Sequence, residues 1–246
     1  MNKTAVVIGG SGAIGSEICK RLAGGNYNTF FTFLSNKAVA DNLEQTVPGY
    51  LHGIPCDVRK YEEVESLIDK VKKECGGVDV LINCAGISGE SLFVNKSIDE
   101  WKNVLETNLF SVFYSCRSVI PIMLEQYRGV IINVSSILGT FGIPGMEDYC
   151  ASKSGIIGFT QSLASEVARF GIRVNCISPG MIDTQMSKGA QKQIGKSVKK
   201  LIPCKEFGSA ENVADLMEFL VSSKAGYING ENIMVGGGLG RTLPVS

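Results

Sequence analysis

Charge of one sign is missing from this chain of 246 residues: 24 lysines and arginines face 24 aspartates and glutamates. No global field therefore draws the protein to nucleic acid or to a membrane surface. Long apolar runs are missing too, since none approaches the ~20 residues of a membrane span. Histidine is nearly absent. The one present, His52, has no second ligand or base beside it and reads as structural. Eight cysteines are present but without C-x-x-C spacing, scattered through predicted strands and helices. They read as reduced thiols of a cytoplasmic protein with no metal site. A first strand starting near Thr4 leaves no room for a signal peptide. No repeat, low-complexity tract or linker interrupts the chain. Its 44% hydrophobic and 20% charged content is ordinary for a globular protein. The length suits one α/β domain over residues 1–246.

What the chain does have is alternation. Short β-rich runs read near 4–8, 29–34, 51–55, 78–83, 130–135, 173–178 and 232–235. Helical periodicity reads near 13–24, 36–46, 60–74, 98–127, 148–170 and 209–221. That order calls for a doubly wound parallel sheet of about seven strands with right-handed crossovers. Ligands of such sheets bind beyond the carboxyl ends of the strands. Gly9, Asn83, Ser136 and Pro179 all fall at or just after strand ends, so one crevice gathers them.

Tyr149 and Lys153 lie four residues apart on a predicted helix, and Ser136 lies thirteen residues upstream of Tyr149. Positions i and i+4 share a helix face. A free phenol has a pKa of about 10, and a neighbouring ammonium is expected to lower it. A serine hydroxyl from the preceding strand would hold a substrate oxygen beside the phenol. At the N-terminus the apolar run Thr4–Ile8 leads into Gly9-Gly10-Ser11-Gly12-Ala13-Ile14-Gly15 and then a helix. Strand, glycine turn and helix form a phosphate-binding unit, because glycines admit a pyrophosphate to the backbone and the helix N-terminus meets its charge.

Together these features resemble the short-chain dehydrogenase/reductase family, of the classical type, over nearly the whole chain. Its T-G-x-x-x-G-x-G motif maps onto Ile8 to Gly15, with Ile8 for the threonine and Ala13 for the middle glycine. Its N-A-G appears as Asn83-Cys84-Ala85-Gly86. The tetrad matches Asn108, Ser136, Tyr149 and Lys153, and Pro179-Gly180 followed by Ile182 and Thr184 matches the segment after strand six. The stretches Tyr149 to Met186 and Tyr227 to Glu231 look most like those of bacterial 3-oxoacyl-(acyl-carrier-protein) reductases.

The resemblance implies a Rossmann-like fold and an NAD(P)-dependent oxidoreductase. Tyr149 would protonate a carbonyl oxygen that receives hydride at carbon, Ser136 would hold that oxygen, and Lys153 would depress the phenol pKa and bind the nicotinamide ribose. Asn108 would anchor a water that relays protons, or serve as a kink amide in a long helix. Gly9, Ser11, Gly12, Ala13, Ile14, Gly15, Asn83, Ala85, Gly86, Pro179, Gly180, Ile182 and Thr184 would border the cofactor, with Asp57 and Val58 at the adenine unless Asp57 is a helix cap. After the second strand stand Ser35, Asn36 and Lys37 with no acid. Hydroxyl, amide and ammonium donors suit a 2′-phosphate, so NADP(H) is expected before NAD(H), although Lys37 also reads as the opening of a solvated helix.

Substrate identity rests on less. The region 184–208 corresponds to a lid and carries Lys188, Lys192, Lys196, Lys199, Lys200 and Lys205 with no acid before Glu206. It suits an acidic acyl carrier protein or the phosphates of coenzyme A, and equally a solvated lysine-rich helix. Arg128 and Arg169 lie one residue from the positions of the family's docking arginines, which hold Tyr127 and Phe170 here. Val235-Gly236-Gly237-Gly238 departs from the usual V-D-G-G. The readings left open are reduction of a 3-oxoacyl thioester in fatty-acid or polyketide-type synthesis, a dehydrogenase of another small alcohol or ketone, and a non-enzymatic dinucleotide binder. The resemblance implies a homotetramer, in which the long helices at 98–127 and 148–170 build the interface between subunits and the C-terminal segment completes the assembly.

Overall fold

The computed structural model describes residues 3–184 and 199–240. Seven strands within them, β1 (Thr4–Ile8), β2 (Asn28–Phe33), β3 (Leu51–Pro55), β4 (Val80–Asn83), β5 (Gly129–Val134), β6 (Ile172–Pro179) and β7 (Asn232–Val235), make one sheet. Its order is β3-β2-β1-β4-β5-β6-β7, and every pairing is parallel. The order reverses between β1 and β4, which opens the crevice expected at the carboxyl edge.

Burial on both faces explains why these strands read as unbroken apolar runs. In β1, Ala5 and Val7 join one core with Ile18 and Leu22 of α1 (Ala13–Gly24), Leu43 of α2 (Lys37–Glu44) and Val213 and Met217 of α7 (Ala210–Val221). Val6 and Ile8 point the other way. They pack with Val64 and Ile68 of α3 (Tyr61–Cys75), Val119 and Met123 of α5 (Ser111–Gln126) and Ile156 of α6 (Glu147–Val167). His52 bonds Asn28 Oδ1 at 2.8 Å and stacks on Phe30, which pins β3 to β2. All eight cysteines are free thiols. No helix of the described residues is long and apolar enough to cross a membrane.

Most boundaries fall within one or two residues of the sequence expectation, and three differences have physical causes. The strand expected from residue 78 starts at Val80, because Val78 spends its amide and carbonyl on the Gln126 side chain at 3.0 and 2.9 Å. The helix expected over 98–127, with Asn108 as a candidate kink amide, is α4 (Ile98–Leu105), a π turn at Glu106–Phe110, and α5. The widened turn holds Asn108, wholly buried, with its amide aimed across at Ile87 rather than along its own helix. The helix expected over 148–170 ends at Val167 and tightens into a 3-10 turn closed by Gly171 at φ +72°. Of the expected lid, residues 185–198 lie outside the described residues, and Lys188, Lys192 and Lys196 with them. Ile182 pairs with Gly208 at the base of that stretch.

A polar seam runs through the sheet near this edge. Asn83 of β4 and Asn133 of β5 are register partners. Asn83 Nδ2 donates to Asn133 Oδ1 (2.9 Å), Asn133 Nδ2 donates to Thr160 Oγ1 (2.9 Å), and Ser115 Oγ donates to Asn83 Oδ1 (2.6 Å). Buried amides satisfied in this way stabilise modestly, but removing one orphans the rest. Asn133→Ala is therefore expected to cost about 1–3 kcal/mol, read as a lower urea midpoint with an unchanged slope.

Candidate active site and family

The glycine turn places a bare helix end in the crevice. Gly12 is the N-cap of α1, with no side-chain cap and no acid in the first turn. Its free N–H groups and the helix dipole fit an anion. Gly9, at φ +81°, lets β1 turn there and donates its amide to Thr32 Oγ1 at 2.7 Å. A Cβ on Gly9 would stand 2.5 Å from Ala85 N, so the N-A-G segment closes directly on the turn. Ser11, Gly12 and Ala13 stand at this open end, and Gly15 is buried against Gly9 and Gly10. The donor set and its shape fit a dinucleotide pyrophosphate.

The four tetrad positions converge beyond the ends of β4 and β5. α6 carries Tyr149 and Lys153, and Lys153 Nζ lies 5.6 Å from the Tyr149 ring centroid. The ammonium is buried and donates to Val134 O at 2.9 Å. Ser136 follows β5 and is 8% exposed. Its neighbour Ser135 is committed, because its hydroxyl donates to Lys153 O at 2.7 Å. The Ser136 hydroxyl accepts from Leu138 N at 3.1 Å and hydrogen-bonds the phenol. Asn108 Oδ1 accepts from Ile87 N (2.8 Å), and its Nδ2 donates to Ile87 O (3.0 Å) and Ser152 Oγ (3.0 Å). A Cβ on Gly86 would lie 3.4 Å from both Asn108 Oδ1 and Lys153 Nζ.

The electrostatics differ from the sequence expectation. Burial, the larger influence, raises the Tyr149 phenol above its ordinary value, with hydrogen bonding to Ser136 acting the other way. Burial also lowers Lys153 to about 8. The expected depression of the phenol by Lys153 is not found, because desolvation outweighs the hydrogen bond that lowers the phenol. Cys84, in the same pocket, is pushed up to about 11 by burial and stays a thiol at neutral pH.

The remaining expected residues divide into two sets. Asn83, Ala85, Gly86, Pro179, Gly180 and Ile182 lie at or beyond the ends of β4 and β6. Gly180 is backed by Gly236, whose Cα a Cβ there would meet at 2.7 Å. The residue that departs from V-D-G-G is therefore part of the wall. Ser35, Asn36 and Lys37 stand exposed beyond β2, but two of them already have partners. Asn36 caps α2 by accepting from Val39 N at 3.2 Å, and Lys37 pairs with Asp41 at 2.7 Å. Asp57 is no helix cap, since Lys60 holds that place in α3. Arg59 clasps both of its carboxylate oxygens, at 2.9 and 2.7 Å, and holds the carboxyl below its usual range. Arg128 pairs with Asp79 at 3.0 Å and Arg169 stacks on Phe170, so both guanidinium groups have partners in the chain.

Three supporting roles escaped the sequence reading. Thr32 receives the Gly9 amide, Ser135 ties α6 to β5, and Ser152 links Asn108 to Tyr149 O at 2.7 Å. Only Ser152 carried a signal, through its place inside Tyr149 to Lys153.

Known proteins converge on one grouping. A family model described as enoyl-(acyl carrier protein) reductase matches residues 9–240. The 3-oxoacyl-(acyl-carrier-protein) reductase FabG of Staphylococcus epidermidis is 38% identical over 242 residues, covering 97% of this chain and 99% of its own. FabG of Escherichia coli is 36% identical over 241 residues, covering 96% and 97%. Among solved structures, levodione reductase superposes with a TM-score of 0.92 at 28% identity, covering 98% of each chain. The crystal structure of gox2181 gives 0.94 at 28%, covering 98% and 96%. Matches this long, over a dinucleotide crevice with a Tyr-Lys pair at its edge, establish that the chain belongs to the short-chain dehydrogenase/reductase family of NAD(P)-dependent oxidoreductases.

Proposed function

We propose that the protein reduces the 3-keto group of a 3-oxoacyl thioester to a hydroxyl with NADPH, in fatty-acid synthesis or a polyketide-like pathway. The observation that carries the reading is the meeting of Tyr149, Ser136 and Lys153, joined to the glycine turn before α1 by the Asn83–Gly86 segment that touches both. A bound dinucleotide supplies the hydride. The Tyr149 hydroxyl, kept protonated by its burial, gives its proton to the carbonyl oxygen, and the Ser136 hydroxyl donates a hydrogen bond to that oxygen. The Lys153 ammonium stabilises the phenolate left behind and is placed to hold the cofactor ribose. Asn108 has its side chain engaged by Ile87 and Ser152, which gives it a positioning role.

Ser35, Asn36 and Lys37 would receive the 2′-phosphate, with Asp57 and Val58 near the adenine and Thr184 beside the nicotinamide end. The Lys37–Asp41 pair is solvent-exposed and weak, so a phosphate can compete for the ammonium. A carrier-bound substrate is supported by the named activity of the FabG relatives and by the basic stretch after Thr184. A ketoreductase is favoured over an enoyl reductase by the Ser136–Tyr149 pairing, which suits a carbonyl oxygen. The likeness to levodione reductase favours a second reading, a dehydrogenase of a small ketone.

NADPH and NADH oxidation is measured with a 3-oxoacyl thioester on coenzyme A and on a carrier protein, beside a 2-enoyl thioester and a cyclic diketone. Turnover of the 3-oxo compound with NADPH, lowered about 10²–10⁴-fold in Tyr149→Phe, is the expected outcome. Preference for the enoyl compound or the diketone would replace the reading. Lys153 loses its charge as pH rises through about 8. The kcat/KM for the dinucleotide, which reports the free enzyme, is therefore expected to fall across that range, and a flat profile would remove Lys153 from cofactor binding. We also infer a cytoplasmic homotetramer of single-domain chains. Phe110 at the end of the π turn and Phe113 in the first turn of α5, 43% and 47% exposed, offer an apolar face. Light scattering is expected to give four times the chain mass, and a monomer would contradict it.

A further inference from the structure

Two side chains outside the tetrad meet beside Tyr149. Lys96 lies between β4 and α4, and Asp148 lies in the first turn of α6. Their charged atoms are 2.6 Å apart, with side chains only 3% and 1% exposed. Lys96 Nζ also donates to Gly145 O at 3.3 Å and lies 3.7 Å from Glu147 Oε2. Asp148 Oδ1 accepts from Tyr149 N at 2.8 Å. Lys96 is thereby coupled through one carboxylate to the amide of the tyrosine.

The same segment is fastened at its other end. Ile87 exchanges two hydrogen bonds with Asn108, Asn108 donates to Ser152 Oγ, and Ser152 donates to Tyr149 O. Residues 87–97 are thus tied at one end to the carbonyl of Tyr149 and at the other to its amide. In the middle, Ser91 N donates to Gly145 O at 3.2 Å. Stability gives little reason to bury this pair, since ion pairs taken out of water often gain nothing over apolar residues. Here the arrangement also leaves Asp148 Oδ2 and Glu147 Oε2 buried without a hydrogen-bond partner. What the pair does supply is a fixed place for a segment at the carboxyl edge of the sheet that presents Leu92, Phe93 and Val94 to the outside.

We propose that Lys96 and Asp148 are positioning residues: their buried pair locks residues 87–97 to the first turn of α6, and so sets Tyr149 and the apolar wall beside it as one unit. The effect on substrate rests on the carbonyl-reductase reading above; the locking does not. The full chain is compared with Lys96→Met, Asp148→Asn and the double variant Lys96→Met/Asp148→Leu, by hydrogen exchange and by steady-state kinetics. In Lys96→Met, amide exchange in peptides spanning 87–97 and 145–152 is expected to rise about tenfold or more while the α1 peptide is unchanged. Asp148→Asn serves with the same two outcomes if Lys96→Met does not fold. The double variant removes both buried charges, so a purely structural pair would leave it active. Its kcat/KM for the 3-oxoacyl thioester is instead expected to fall about 10–10²-fold, with dinucleotide affinity unchanged. Unchanged exchange overturns the proposal, as does full activity of the double variant or a parallel loss of cofactor binding. If the wild-type chain turns over no thioester, the exchange result alone decides.

Discussion

Lys153 Nζ donates to Val134 O and Ser135 Oγ donates to the carbonyl of the same lysine, and these two bonds hold α6 across the end of β5. The rest of the site depends on that junction. It needs close contact, which Gly139 permits: a Cβ there would lie 2.8 Å from Ser135 Oγ and 2.9 Å from the Lys153 backbone. With Ser135 spent on the helix, Ser136 is the serine left to face Tyr149. Lys153, drawn down to the strand end, becomes a buried cation, and burial lowers its pKa to about 8.

The sheet beneath is apolar on both faces, yet its carboxyl edge carries amides and hydroxyls that satisfy one another. Asn83, Asn133, Ser115 and Thr160 join β4 and β5 to α5 and α6 through such bonds. Polar groups at this depth are tolerated because each has a partner. The end of α1 is the contrasting case, since its N–H groups have no capping side chain and stay available to a ligand. One edge of the sheet therefore combines a self-satisfied polar seam with a helix end left open.

Much of this was legible in the sequence because the governing signals are local. Strands buried on both faces read as apolar runs, and Tyr149 with Lys153 share a helix face by spacing alone. The π turn at Glu106–Phe110 was legible only as a candidate kink at Asn108, since the apolar spacing on either side continues through it. The start of β4 was misread because Gln126, far along the chain, takes the groups of Val78. The sign of the Tyr149 shift was missed for a related reason. Charge proximity is visible in spacing, whereas desolvation depends on how many distant residues close over the group. The adjoining Lys96–Asp148 contact is likewise a product of tertiary packing.

The buried Lys153 also makes unfolding a proton-uptake reaction in mildly alkaline solution. The unfolded lysine holds its proton up to its ordinary value of 10.5, whereas the folded one releases it near 8. Below about pH 8 the fold bears the full cost of a desolvated cation, about 3 kcal/mol. Between those two values the cost is progressively relieved, so this residue alone makes the fold firmer as pH rises. The contribution of this one side chain to the fold is thus least unfavourable on the alkaline side of the pH at which its own ammonium is lost.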